Sequence, residues 1–248
     1  MKKNIIFTMF LCALLAAAAF AAPSYARTKE DITAAAIGEK LKEELSPEKI
    51  EVHVAKGCQK AWVMCRGSKL SGLRVELMEL SALLSGSLGS EENLETLAEM
   101  ISESFGKMIL KESDINKYFA EGRGASGFSD MCFRFKDDRY TASGRFESDL
   151  VFTTIELDIN ARGTLVLKTD GIYLDGTEIS VEGKTVHDRL ASLITDSINP
   201  LLSFEKIPFP IRFSSVRIPA GSIIIDGSPE KIPAAGRYEY ADKGSGSN

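Results

Sequence analysis

Apolar residues spaced three and four positions apart predict three amphipathic helices and one short helix. The first begins at Thr28 and ends at Ser46, because a residue that precedes proline disfavours helical conformation. The second carries glutamates on its polar face and ends near Gly106, and the last ends at Asn199, which also precedes a proline. The predicted helices cover 28–45, 90–105, 113–119 and 186–197.

Alternating apolar and polar residues predict antiparallel strands in the rest of the chain. The sequence Thr169-Asp170-Gly171 is a strong hairpin signal within the longest alternating region. Helices and hairpins together predict an α+β fold that contains an antiparallel meander. The predicted strands lie within 50–66, 73–77, 129–183, 211–218 and 222–226.

The first 26 residues have the pattern of a secretory signal peptide. Lys2 and Lys3 precede an apolar stretch over 5–22, and small residues at Ser24 and Ala26 suit a signal peptidase. We expect cleavage after Ala26 and export to the periplasm or cell envelope. An uncleaved membrane anchor is the alternative, since the apolar stretch is near the lower length limit for a spanning helix.

The chain after the signal is expected to form one domain over 27–233. Hydrophobic residues make up 44% of the sequence and charged residues 26%, which is typical of a folded protein. Glycines between 122 and 127 join the two strand-rich halves. Residues 234–248 are expected to form a flexible tail, because they contain few apolar residues and end in a Gly/Ser-rich sequence.

Charge and motif content exclude several classes of function. A net charge of −5 disfavours nucleic-acid binding, which requires a cationic surface. Four cysteines and two histidines show no metal-ligand spacing, so we expect no metal and no cofactor. We also expect no enzyme activity, because the sequence has no nucleophile elbow, P-loop or dinucleotide fingerprint. Cys58 and Cys65 are the pair we expect first to form a disulfide, with Cys132 free or bonded to another chain.

Four segments resemble the LmeA-like phospholipid-binding family. They are GLRVEL at 72–77, LKESDINKYF at 110–119, GIYLDG at 171–176 and IPAGSIIIDG at 218–227. The resemblance implies an exported cell-envelope protein that binds phospholipid and lacks an established enzymatic motif. It also implies a strongly curved antiparallel sheet wrapped around a helix, as in tubular lipid-binding domains.

A curved sheet with an apolar inner face can hold acyl chains, which gain roughly 0.8 kcal/mol for each buried methylene. Alternatively, the same residues pack together as an ordinary core, and the protein is a structural or interaction domain that binds another envelope protein. For the lipid groove we expect strand residues on one wall and the last helix as its cover. The candidate lipid-binding residues are Phe133, Phe135, Ile155, Leu157, Leu165, Leu167, Leu190, Leu193 and Ile194.

A local cluster of cations contrasts with the acidic chain. Between Lys56 and Arg74 there are five basic residues, no acidic residue and the only tryptophan, Trp62. Cations attract anionic head groups and tryptophan favours the membrane interface, so this hairpin is a candidate for docking on a membrane surface. Alternatively, it is an ordinary solvated hairpin with Trp62 in the core. The candidate docking residues are Lys56, Lys60, Trp62, Arg66, Lys69 and Arg74.

Overall fold

A computed structural model describes residues 27–85, 96–124, 127–150 and 153–242. These residues form two antiparallel sheets with a few helices, so the predicted α+β class is confirmed. Neither sheet closes on itself or curls strongly in this described part, and the strongly curved sheet expected above is therefore not observed.

The elements alternate between hairpins and short helices along the chain. The helices are α1 (Lys29–Leu45), α2 (Leu97–Met100), α3 (Glu112–Ala120) and α4 (Asp188–Ile198). The strands are β1 (Lys49–Val54), β2 (Lys60–Leu70), β3 (Leu73–Leu84), β4 (Ile101–Lys111), β5 (Phe128–Lys136), β6 (Arg139–Leu150), β7 (Thr153–Lys168), β8 (Gly171–Val181), β9 (Lys184–Thr185), β10 (Leu202–Ser203), β11 (Ser215–Arg217), β12 (Ser222–Asp226) and β13 (Gly236–Ala241).

Sheet A has the strand order β11-β12-β4-β3-β2-β1-β13, and one of its faces packs against α1. On this α1 face, Val52, Val63 and Leu80 lie opposite one another on adjacent strands and are fully buried. Gly38 on α1 leaves room for the Tyr238 ring, which allows the helix to approach the sheet closely. The α1 face therefore forms the core of the first half of the chain.

The C-terminal residues belong to sheet A. β13 pairs with β1 along its whole length, from Ala241 opposite Lys49 to Gly236 opposite Val54. Our expectation of a flexible tail over 234–248 was therefore wrong for 236–241. The low apolar content of this segment gave no strand prediction. The segment nevertheless forms a short strand with alternating exposure, in which two half-buried tyrosines pack against the core. Residues 243–248 lie outside the described residues.

Residues 227–235 cross the other face of sheet A, which we call the outer face. The crossing is needed because four strands separate β12 from β13. The Ala235 N–H donates to the Val54 carbonyl at 2.8 Å, and Lys231 Nζ lies 4.2 Å from the centroid of the Trp62 ring. This crossing segment therefore covers part of the outer face.

Sheet B has the order β10-β8-β7-β6-β5, with β9 beside β8, and confirms the antiparallel strands predicted within 129–183. Its two faces differ in chemistry because side chains alternate across the strands. The register places Phe133, Ala142, Ala161 and Ile179 in one row on the apolar face. A neighbouring row on the polar face contains Arg134, Thr141, Arg162 and Glu178.

Helix α4 lies along β8 and confirms the predicted helix over 186–197. Both of its ends are fixed to that strand. The Val186 N–H donates to the Ile179 carbonyl at 3.0 Å just before the helix. After the helix, the Asn199 side chain bonds the N–H and the carbonyl of Leu174, at 2.8 and 3.1 Å.

Helix α3 covers the edge strand β5. Asn116 Oδ1 accepts from the Phe133 N–H at 2.6 Å, and its Nδ2 donates to the Phe133 carbonyl at 3.0 Å. Glu112 Oε2 accepts from the Phe135 N–H at 2.8 Å. These side chains occupy the backbone groups that an exposed sheet edge would offer to another strand.

Our prediction of an acidic helix over 90–105 was wrong for residues 101–105, which form a strand. Residues 86–95 lie outside the described residues, and helix is found only at α2. From Ile101 the chain forms β4, which pairs with both β3 and β12. The β12 pairing covers only 107–111, so over 101–105 the pairing with β3, together with one bridge from Phe105 to Arg212, outweighs the local helical spacing.

The predicted disulfide between Cys58 and Cys65 is not formed, since both cysteines are free. Cys58 lies in the turn between β1 and β2, whereas Cys65 pairs with Ile50 in the middle of the hairpin. Cys65 is roughly 13 Å along β2 from Ala61, where the hairpin begins, at about 3.3 Å per residue. That span exceeds the reach of a disulfide. Burial raises the pKa of the Cys65 thiol to about 12.

A candidate lipid-binding cleft

The two predicted groove residues on β5 lie in the core. Phe133 and Phe135 are buried, and their rings stack with centroids 6.1 Å apart. Phe133 also contacts Phe119 of α3 at a centroid distance of 5.0 Å. Protein side chains therefore already occupy the space next to these residues.

The predicted groove residues on β7 lie in different environments. Leu165 is buried opposite Leu174, whereas Leu157 and Leu167 are half-buried and pack against the edge of the core. Ile155 pairs with Ser148 in the sheet, and its side chain lies outside the described part. Leu167 has both an apolar neighbourhood and partial access to solvent.

The predicted cover helix presents only part of its apolar stripe to sheet B. Ile194 is buried, Leu190 is half-buried and Leu193 is 54% exposed. Ile198, which was not among the candidates, is buried one turn after Ile194. Ile194 and Ile198 of α4 itself therefore fill the space where we expected a lipid groove.

A cleft of about 620 Å³ lies on the polar face of sheet B, where its lining includes Arg134, Thr141, Asn160, Arg162 and Glu178. Arg162 Nη2 lies 2.6 Å from Glu178 Oε2, which places an ion pair in the lining. Such polar walls give an acyl chain little apolar surface.

A second cleft, of about 380 Å³, lies where the end of β7 meets the edge of sheet A. Gly106 in β4 leaves space for Ile211 and Phe213 to lie over the α1 face. The Phe204 and Phe213 rings are in contact, with centroids 4.8 Å apart. We call this the junction cleft, and it is lined by Leu167, Lys168, Thr169, Phe204, Ile211, Arg212 and Phe213.

The junction cleft combines apolar and cationic side chains. Its four apolar residues, Leu167, Phe204, Ile211 and Phe213, are all half-buried against the core. Lys168 Nζ lies 4.1 Å from the centroid of the Tyr173 ring. Arg212 Nη2 lies 3.1 Å from Glu103 Oε1, and the Arg212 side chain is largely exposed. The cleft can therefore offer an apolar surface and positive charge to the same ligand.

Sequence reasoning identified only Leu167 among these cleft residues. Phe204, Ile211 and Phe213 lie in the proline-interrupted sequence FEKIPFPIRF over 204–213. Three aromatic residues in a stretch with little regular structure are a signal that could have identified this segment. Its position beside β7 depends on contacts that no local pattern specifies.

Trp62 of the predicted docking hairpin is part of the folded interior, being only 4% exposed. Its Nε1 donates to Glu79 Oε1 at 2.9 Å, and its ring contacts His53 at a centroid distance of 5.1 Å. Lys231 of the crossing segment lies over the same ring. The alternative interpretation, with tryptophan in the core, is therefore correct for this residue.

The five predicted docking cations do not form one patch. Lys60 and Lys69 lie roughly 30 Å apart along β2, at about 3.3 Å per residue. Lys56 is exposed in the turn before β2, near Lys60. Arg66 Nη1 lies 3.9 Å from Glu76 Oε1. Arg74 pairs with three carboxylates, those of Glu48, Glu76 and Asp114.

These ion pairs reduce the charge that Arg74 can offer to a head group. The hydrogen bond from Arg74 holds the pKa of the Glu48 carboxyl below its usual range. Hydrogen bonds from Lys111 and then Arg74 do the same for the pKa of Glu76. Both carboxylates therefore stay ionised beside the guanidinium at neutral pH.

The described ranges contain no group of three or more His, Cys, Asp and Glu residues that could hold a metal ion. No helix among them has the length and apolar content needed to span a membrane.

Among known families, the model described as LmeA-like phospholipid-binding matches residues 68–228. The chain belongs to this family. No curated protein and no solved structure matches the chain. The matched region contains every residue of the junction cleft, whereas Lys56, Lys60, Trp62 and Arg66 precede it. The matched region therefore includes the cleft and excludes four of the six predicted docking residues.

Proposed function

We propose that this protein is exported to the cell envelope and binds a phospholipid in the junction cleft. Membership of a phospholipid-binding family supports lipid binding. The observation that carries the site is the junction of four half-buried apolar side chains with Lys168 in one cleft of about 380 Å³. That volume is within the range of about 300–1,000 Å³ common for small-molecule sites.

The apolar wall suits part of an acyl chain. Each methylene that leaves water gains roughly 0.8 kcal/mol, so a few methylenes on Leu167, Phe204 and Phe213 supply useful affinity. Aromatic rings give a large contact area at a small cost in side-chain entropy. The remainder of the lipid extends out of the cleft, because the cleft is open to solvent.

A cation suits the phosphate of the head group, and a hydrogen bond with an ionised partner is roughly twice as strong as a neutral one. The Arg212 guanidinium lies with Glu103 on the outer face, away from the side chains of Ile211 and Phe213. Lys168 is therefore the cation of the cleft that attracts an anionic phosphate. The proposed pose places the phosphate outside the apolar wall.

The cellular role follows from the N-terminal sequence and the lipid site together. We propose cleavage after Ala26, and a non-enzymatic protein that shields, presents or transfers lipid at a membrane surface. A tubular lipid-binding arrangement, in which the two sheets form successive halves of one lipid-binding body, belongs to the same proposal.

One observation favours a second function. Phe133, Phe135 and Ile194 were candidates for lipid contact and are buried against protein. A self-filled core in sheet B suits a structural or interaction domain that binds another envelope protein. The two functions differ in whether the purified protein carries lipid.

Native mass spectrometry of the full-length gene product, purified from the exported fraction, tests the proposal. We expect a polypeptide that begins at Arg27 and a second species heavier by one phospholipid. Protein purified without bound lipid should gain the mass of one phospholipid after incubation with phospholipid vesicles. A protein that remains empty after incubation would refute the binding function, and an intact N-terminus at Met1 would refute the proposed cleavage.

A further inference from the structure

We propose that Leu83 and Phe105, on the outer face of sheet A, form the surface through which this protein contacts a lipid bilayer. The inference rests on the proposed phospholipid binding, and it assigns the side of the molecule from which lipid would enter. It replaces the predicted docking surface, whose tryptophan is buried and whose cations are dispersed along the hairpin.

Exposure identifies the two residues. Leu83 is 40% exposed and Phe105 is 42% exposed, and they are two of the four large hydrophobic residues exposed in the described ranges. They lie on the adjacent strands β3 and β4, and the register places Leu83 opposite Glu103, two residues from Phe105. Together they form a small apolar patch instead of two isolated exposed residues.

The patch continues into a groove of about 440 Å³ between sheet A and the crossing segment. Ile232 of the crossing segment adds apolar lining, and Glu103 and Glu230 add acidic residues. A flexible acyl chain or a bilayer surface can conform to such an open groove. We favour the bilayer as the occupant because of what lies next to the patch.

The patch adjoins the junction cleft. Residues 210–213 run beside β4, where the Arg212 N–H donates to Ser104 O at 2.8 Å and the Gly106 N–H donates to Arg212 O at 3.1 Å. Ile211 and Phe213 line the cleft on one side of this segment. Phe105 lies on the other side, paired with Arg212 in the sheet. The patch and the cleft therefore lie on opposite sides of this segment, and a lipid leaving a bilayer in contact with Phe105 would pass around the segment to reach the cleft.

Basic residues flank both apolar side chains. Lys60 lies opposite Leu83 in the register of β2 and β3, and Arg212 lies opposite Phe105. An apolar side chain beside a cation is the usual combination at a membrane interface, since the first enters the acyl region and the second meets phosphates. Glu103 pairs with Arg212 and moderates this attraction, so contact depends mainly on the apolar pair.

Vesicle transfer and short-chain lipid binding test the surface separately from the cleft. The variants are Leu83→Ser, Phe105→Ser and the double variant, with Ile32→Ser as the matched control, because Ile32 is 57% exposed and lines neither the groove nor the cleft. The first assay follows a fluorescent long-chain phospholipid as it leaves vesicles of phosphatidylcholine and phosphatidylglycerol. The second measures binding of dihexanoyl phosphatidylcholine as monomers, without any bilayer.

We expect the double variant to lose at least about tenfold in transfer from vesicles, which corresponds to about 1.4 kcal/mol of membrane affinity. Its binding of monomeric lipid and its melting temperature should match those of the wild type. Phe105→Trp should increase transfer, since tryptophan favours the interface.

Three outcomes would overturn the inference. They are unchanged transfer by the double variant, an equal loss caused by Ile32→Ser, and decreased transfer by Phe105→Trp at unchanged stability. If the wild type binds no monomeric lipid, the proposed function itself fails. If monomeric lipid binds and the serine variants transfer normally, only the bilayer surface fails.

Discussion

Replacing Leu167 by aspartate is expected to reduce phospholipid capture at least about tenfold, which corresponds to about 1.4 kcal/mol of binding free energy. Leu167 is the half-buried β7 residue in the apolar wall of the junction cleft. A carboxylate there removes acyl-chain contact, requires desolvation when a lipid binds and repels the phosphate near Lys168. The measurement is lipid recovered with the protein after incubation with vesicles.

The control for this variant is Leu77→Asp. Leu77 is also half-buried on a strand, but it lies in sheet A and lines neither the junction cleft nor the groove on the outer face. Both variants should lose similar stability in thermal melts, while only Leu167→Asp loses lipid. Thr169→Trp, which adds bulk at an exposed position of the cleft, should also reduce capture. If Leu167→Asp and Thr169→Trp capture as much lipid as Leu77→Asp and the wild type, the junction cleft is excluded as the lipid site.

Replacing Gly236 by alanine is expected to destabilise the fold by about 3 kcal/mol. A methyl group at this position would overlap the main chain of Glu30 and Asp31 at the start of α1. Backbone atoms cannot move aside as a flexible side chain can, so α1 or β13 must shift. Chemical denaturation would show the loss as a lower transition midpoint.

A substitution on the same strand controls for general effects. Glu239 is exposed in β13, so Glu239→Ala should change the free energy of unfolding by less than about 0.5 kcal/mol. Removing residues 236–248 should destabilise the protein as strongly as Gly236→Ala. If Gly236→Ala and the truncation are both neutral, β13 does not contribute to the fold.

The sequence predicted most of the elements whose spacing repeats over many residues. The alternation within 129–183 gave the four long strands of sheet B, and helical spacing gave α1 and α4. It did not predict β13, because two tyrosines provide most of the apolar surface of that strand. Nor did it predict the strand at 101–105, where the local spacing is helical and pairing with β3 decides the conformation.

Predicting the candidate site from sequence was harder, because the site depends on which surfaces meet. Leu167 was identified from its alternation, yet its apolar partners, Phe204 and Phe213, come from a segment almost 40 residues later. Helical spacing placed Ile194 on the apolar stripe of α4, but it did not show whether lipid or protein would cover that stripe, and Ile194 and Ile198 are buried. Burial of Trp62 likewise depends on the crossing segment and on Glu79, and both are distant in sequence.

Photo-cross-linking with a phospholipid that carries a diazirine on its acyl chain tests the central claim most directly. The wild-type protein would be loaded from vesicles, irradiated and digested, and the modified peptides mapped by mass spectrometry. We expect adducts on the two segments that form the cleft, at Leu167 and within 204–213. Adducts confined to the polar face of sheet B or to the hairpin around Trp62 would contradict the assignment of the junction cleft as the phospholipid site.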